Sequence, residues 1–205
     1  MDPALFVRGL VLGFTIAAAV GPISLLVIRR TLAEGRAVGL ASGMGVATAD
    51  GTYGAIAAFG LTAVTDLLID WRRVLGIVGG LFLLWLAWRT FRSVPREAAP
   101  EDAGRRRGLP GAYLSLLGLT LTNPMTILSF AALFVGLGVT GGDLGGAMLL
   151  TLGVFAGSAL WWVVLTAAVA ALRTRLTTTG LRRVNIASGL LIGAFAIGAI
   201  ALALL

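Results

Sequence analysis

The chain has 205 residues, of which 58% are hydrophobic and only 12% charged, with a mean hydropathy of +0.98. A soluble domain carries about a quarter charged residues, so the composition excludes an ordinary soluble protein and reads as an integral membrane protein. All 16 basic residues are arginine, and lysine, histidine and cysteine are absent, which removes thiol redox chemistry, disulfides, c-type haem attachment and the usual soft-metal sites. No cofactor is expected. A net charge of +7 and a pI near 11.5 would by themselves suggest nucleic acid. The arginines, however, sit in short clusters between apolar runs, where they set membrane topology and meet anionic lipid.

The chain opens with Asp2, Pro3 and Arg8. Ala17-Ala18-Ala19 has the small residues of a signal-peptidase site, but no basic n-region precedes the apolar run. The segment is therefore expected to remain as a first span. A helix needs about 20 apolar residues to cross the hydrocarbon core. Six segments qualify: Ala4 to Ile28, Ala37 to Val64, Val74 to Phe91, Leu109 to Leu137, Leu144 to Leu172, and Val184 to Leu205. Small residues recur at every fourth position in Gly9/Gly13, Gly39/Gly43, Gly76/Gly80, Gly153/Gly157 and Gly189/Gly193, a spacing that lets helix backbones approach closely. Such faces permit a homodimer without requiring one.

Arginine placement gives orientation. The first, third and fifth connections hold Arg29, Arg30 and Arg36; Arg89, Arg92, Arg96, Arg105, Arg106 and Arg107; and Arg173, Arg175, Arg182 and Arg183. The other side holds only Arg8, Arg72 and Arg73. The positive-inside rule puts the first group in the cytoplasm and both termini outside. The polar stretch from Arg92 to Gly108 is expected to be a solvated linker between a first half (1–91) and a second half (109–205) of a single transmembrane domain.

The halves are weakly alike. Gly21-Pro22 interrupts the first span and Asn123-Pro124 the fourth. Placing Gly45 against Gly153 brings Asp50 opposite Ser158 and Tyr53 opposite Trp161. Three spans per half make the second half inverted relative to the first, and inverted repeats with interrupted helices mark secondary transporters. The expected fold is all-α: six transmembrane helices as two inverted three-helix repeats, with the first and fourth helices broken.

Proline suits the first position of a new helix. Asn123 reads as an N-cap before Pro124, and Gly21 is expected to absorb an awkward backbone angle before Pro22. Each break would offer unpaired N–H groups and a positive dipole end to a carboxylate or phosphate. Asp50 lies near the middle of the second span, where an acid costs about 2.5–3.5 kcal/mol on insertion scales. It reads as a proton carrier, as a counter-charge to a cationic substrate group, or as a hydrogen-bonded tie to Asn123, Ser158 or Tyr53. Tyr53 follows one turn later. Trp161 lies deep in the fifth span, as a pocket wall or as core. Trp71, Trp85 and Trp88 stand near span ends, as interfacial anchors do.

With these features together, the chain resembles the LysE/RhtB family of amino-acid exporters over nearly its full length. The residues that carry the resemblance are Gly21-Pro22-Ile23 with Leu25-Leu26-Val27, Gly35-Arg36, the Gly39, Gly43, Gly45 ladder into Asp50-Gly51, and Thr122-Asn123-Pro124. Departures are Met125, where the family often has a basic residue, and Val20, where it often has proline. The resemblance implies proton-motive-force-driven efflux of an amino acid or a similar solute, expected at a bacterial inner membrane. An intramembrane enzyme would need a second acid or base, or a nucleophile beside a base, and no such pair stands out. The arginine placement speaks against a nucleic-acid partner. By position the resemblance assigns the functional elements to Gly21, Pro22, Asp50, Asn123 and Pro124. Tyr53, Ser158 and Trp161 would shape the pocket. The alternatives are export of a divalent or other cation, for which one buried acid is a poor cage, and a non-transporting membrane scaffold.

Overall fold

The computed structural model describes residues 2–19, 21–59, 71–92, 105–123, 126, 129–130, 144–173 and 178–204. Over these residues every regular element is a helix: α1 (Pro3–Ala18), α2 (Pro22–Glu34), α3 (Arg36–Ala58), α4 (Arg72–Phe91), α5 (Arg105–Leu121), α6 (Leu144–Arg173) and α7 (Thr178–Leu204). The Asp2 carboxylate caps α1 by accepting from the Ala4 N–H at 2.9 Å, with Pro3 opening the helix.

The apolar stretch expected as a first span is two helices rather than one kinked helix. α1 and α2 meet at 77°. α2 then runs on to Glu34, so Arg29 and Arg30 are helical and buried, which corrects their expected place in a connecting loop. Arg182 and Arg183 likewise fall inside α7, and α5 starts at Arg105 rather than at Leu109. The charges had been read as loop markers, but helices tolerate arginine where the stem packs and the head reaches a partner.

α3 lies at the centre, touching α1, α2, α5 and α6, while α1 packs along α6 and α4 along α7. Its buried residues cover about two thirds of the circumference and include Gly39, Ser42, Gly43, Gly45, Asp50, Gly51 and Gly54, while Thr52 on the remaining side is exposed. A helix packed against neighbours over most of its surface needs small, weakly polar residues there rather than an apolar coat. Among the described residues only α6 is long and apolar enough to cross a membrane by itself, with α1 and α2 qualifying as a bent pair. The outer helices show the opposite composition. On α4, Val74, Val78, Leu81, Trp85 and Trp88 are each about half exposed, an apolar stripe that suits lipid and not water.

Glycine sets the helix spacing at two interfaces. A Cβ on Gly9 or Gly13 would strike the α6 backbone at Leu150 or Val154, and one on Gly153 or Gly157 the α1 backbone at Phe6 or Leu10. A Cβ on Gly45 would strike the Tyr113 carbonyl of α5 and come 3.0 Å from the Leu117 nitrogen. The backbone contacts of Gly153 (Phe6 O, Leu10 N) thus match those of Gly45 (Tyr113 O, Leu117 N) atom for atom.

Candidate functional site

Asp50 is 2% exposed and Ser158 wholly buried, and the Ser158 hydroxyl donates to Asp50 Oδ2 at 2.6 Å. Of the three partners expected for the acid, Ser158 is the one found. It is the only hydrogen-bond partner of the carboxylate among the described residues. α3 and α6 approach closely here because Gly51 and Gly54 lie under Phe155 and Val154. Removing a carboxylate from water without a cation beside it is costly, which makes this buried pair the candidate centre of the site.

Tyr53, one turn on, turns its hydroxyl away from this pair and donates to the carbonyl of Leu121 at 2.6 Å. Leu121 is the last residue of α5, and its carbonyl is one of those a helix end leaves without an intrahelical donor. Tyr53 therefore ties the helix that carries Asp50 to the C-terminal end of α5, just before Asn123. Its ring also leans on Phe130, centroids 5.5 Å apart. On the other side Trp161 meets Phe14 edge-to-face at 5.4 Å. The indole N–H groups of Trp161 and Trp162 are both buried without an acceptor among the described residues.

The two breaks share one narrow crevice, lined by Pro22, Ile23, Gly79, Gly80, Leu83, Leu119 and Asn123. At each break the cap carbonyl starts the next turn: Gly21 O accepts from Leu25 N at 3.1 Å and Asn123 O from Thr126 N at 3.1 Å. α2 begins with no side-chain cap. Pro124 lies outside the described residues. Gly21 does not play the part expected of it. Its φ of −151° is ordinary extended backbone, and a Cβ there would meet nothing within 4 Å. The glycine that the backbone does require is Gly35, between α2 and α3, with φ 99°.

The expected site residues thus fall into two linked groups. Pro22 and Asn123 border the crevice, Asp50 and Ser158 form a buried pair, and Tyr53 joins the pair's helix to the second break. Trp161 flanks the α1 side. Ile23, Gly79, Gly80, Leu83 and Leu119 were not singled out from the sequence. The adjacent glycines of α4 were the available signal, overlooked because Gly80 was read only as a packing contact.

A model of the LysE type translocator family matches residues 14–202. The chain belongs to the LysE type translocator family. It is similar to the uncharacterized membrane protein YahN of Escherichia coli (strain K12), with 32% identity over 113 residues, 53% of this chain and 49% of that protein. The chain thus matches about half the length of that curated relative. No solved structure matches. Membership makes this translocator a membrane transport protein and not an enzyme, in keeping with the apolar outer stripe of α4.

Proposed function

We propose that this translocator is a secondary active exporter of an amino acid or amino-acid-like solute, driven by the proton motive force across a bacterial inner membrane. In this reading six spans form two inverted three-helix repeats that alternate access to a shared site, with both termini outside.

The observation that carries the reading is the Asp50–Ser158 hydrogen bond, which joins residues 108 positions apart. Those are the positions that superimpose when Gly45 is placed on Gly153. Further contacts obey nearly the same offset. Phe6 and Tyr113, which cover Gly153 and Gly45, are one residue short of it, as are Leu10 and Leu117. So are Phe14 and Leu121, which meet Trp161 and Tyr53. Exchanging the halves turns the α1–α6 contact into the α5–α3 contact, and returns α3–α6 and α4–α7 to themselves. A pair related by exchange and in direct contact lies where the repeats meet, which is where inverted-repeat transporters hold their cargo.

Mechanistically, the N-terminus of α2 offers the Ile23 and Ser24 N–H groups to a substrate carboxylate. Asp50 carries the coupling proton or neutralises the substrate ammonium group. Tyr53, Ser158 and Trp161 shape the pocket, and Asn123 with Pro124 provides the second half-helix end. A single buried acid favours neutral over dicationic amino acids. Cation export has less support: the described residues hold no group of three His, Cys, Asp or Glu side chains.

The test is efflux from proteoliposomes preloaded with a panel of labelled amino acids or, separately, with divalent cations. Gradient-dependent efflux of one amino-acid class supports the proposal. Cation efflux with no amino-acid efflux, from protein shown to be folded, overturns it.

A further inference from the structure

We propose that Arg30 is a one-sided latch: its guanidinium pins α2 to α3 and α5 and so biases the transporter towards the conformation seen here. The inference rests on the alternating-access reading above.

α2 has 13 residues and no helical continuation at either end. Before it the chain bends by 77°, and after it Gly35 takes a φ of 99°. A short helix between two such joints can turn as a unit, as hinge-bounded elements do. Its leading end supplies Pro22 and Ile23 to the crevice, so turning α2 opens or closes that crevice.

Arg30 lies in the last turns of α2 and is 9% exposed. Nη1 donates to Ser42 Oγ of α3 at 2.8 Å and to the Ala112 carbonyl of α5 at 3.0 Å, while Nη2 donates to Ser115 Oγ at 2.9 Å. Ser115 in turn donates to the same Ala112 carbonyl at 3.0 Å. The planar guanidinium fork thus grips two helices at once, which a lysine could not reproduce. Nothing in binding or proton coupling requires a cation at this place. A buried charge of this kind is stable only while its partners are in reach, so α2 cannot leave its seat without giving up all three bonds together.

The corresponding stretch of the second repeat has no basic residue with which to build the same clasp. From Gly108 to Leu172 the sequence contains no arginine, lysine or histidine. In a transporter whose two repeats exchange conformations, a clasp present in only one of them stabilises one of the two end states and leaves the other without it. That asymmetry fixes the resting state.

The chain contains no cysteine, so a single introduced thiol is unique. The experiment places Ser24→Cys on α2, at a position 5% exposed, and in a separate protein Ala147→Cys on α6, at a position 3% exposed. Full-length protein in proteoliposomes is labelled from each face with a membrane-impermeant maleimide. This is done with Arg30 intact and with Arg30→Gln, Arg30→Lys or the gentler pair Ser42→Ala and Ser115→Ala. The latch predicts that Ser24→Cys reacts about tenfold faster from one face when the clasp is removed, with an intermediate rate for Arg30→Lys and no change at Ala147→Cys. Equal rates at Ser24→Cys in every background overturn the latch, and so does acceleration at both reporters, which reports general loosening. Labelling does not depend on cargo. Absence of amino-acid efflux with Arg30 intact therefore counts against the transport reading alone, while the labelling still decides the latch.

Discussion

Ser158 of α6 donates to the Asp50 carboxylate of α3 across 2.6 Å, and both side chains are shut away from solvent. The two residues belong to opposite halves of the chain, so one bond couples the halves at the only acid in the described core. Ser158→Ala removes the donor and leaves a buried carboxylate unsatisfied, at a cost of about 1–3 kcal/mol. The midpoint of unfolding in detergent micelles measures it, and the variant is expected to unfold earlier.

Close helix approach makes a sharper pair of predictions. A Cβ at Gly13 would collide with the Val154 carbonyl and one at Gly157 with the Leu10 carbonyl. Backbone cannot swing aside as a side chain can, so Gly13→Ala and Gly157→Ala each cost at least about 1–3 kcal/mol. Gly21→Ala, with open space around it, changes stability by less than about 0.5 kcal/mol. Parallel melts of the three variants check this ordering.

Gly35 differs from both. Its φ of 99° lies where a Cβ crowds the backbone, so Gly35→Ala costs about 1–2 kcal/mol from conformation alone. Because this joint ends α2, the same variant is expected to slow transport, read as efflux rate at saturating internal substrate.

The Tyr53 hydroxyl holds the carbonyl of Leu121 at the end of α5. Tyr53→Phe keeps the ring against Phe130 and removes only that bond, a loss of about 0.5–1.5 kcal/mol. The break beside Asn123 loses its tether, so efflux is expected to fall further than stability does. Paired measurement of transport rate and melting midpoint separates the two effects.

Much of this arrangement was legible in the sequence, for identifiable reasons. Aligning two glycines set Asp50 and Ser158 at equivalent positions, because helix packing demands small residues at fixed intervals. Their contact was one of three possibilities, with Asn123 and Tyr53 the others, and only packing decides among them. The break at Asn123 followed from the intolerance of a helix interior for proline. Arg29 and Arg30 were misplaced because a charge count assigns every arginine to a loop. Whether an arginine is buried depends on Ser42, Ala112 and Ser115, which no local pattern announces. Gly21 was assigned a strained backbone that in fact belongs to Gly35, since glycine content does not show which glycine needs its freedom. The crevice joins α2, α4 and α5, and its lining emerges only from tertiary packing. Pro22 and Asn123 were named in advance, whereas the adjacent Gly79 and Gly80 were visible in the sequence but passed over as packing contacts.

In the proposed mechanism Asp50, as proton carrier or as counter-charge to the substrate ammonium group, is required for gradient-driven movement of an amino-acid-like solute. That requirement is tested most directly by reconstituting the protein and Asp50→Asn side by side, preloading a transported amino acid, and imposing an inward proton gradient. The account predicts gradient-dependent efflux from the unaltered protein and its loss in Asp50→Asn, with both proteins folded and inserted alike. Undiminished gradient-driven efflux from Asp50→Asn would contradict it.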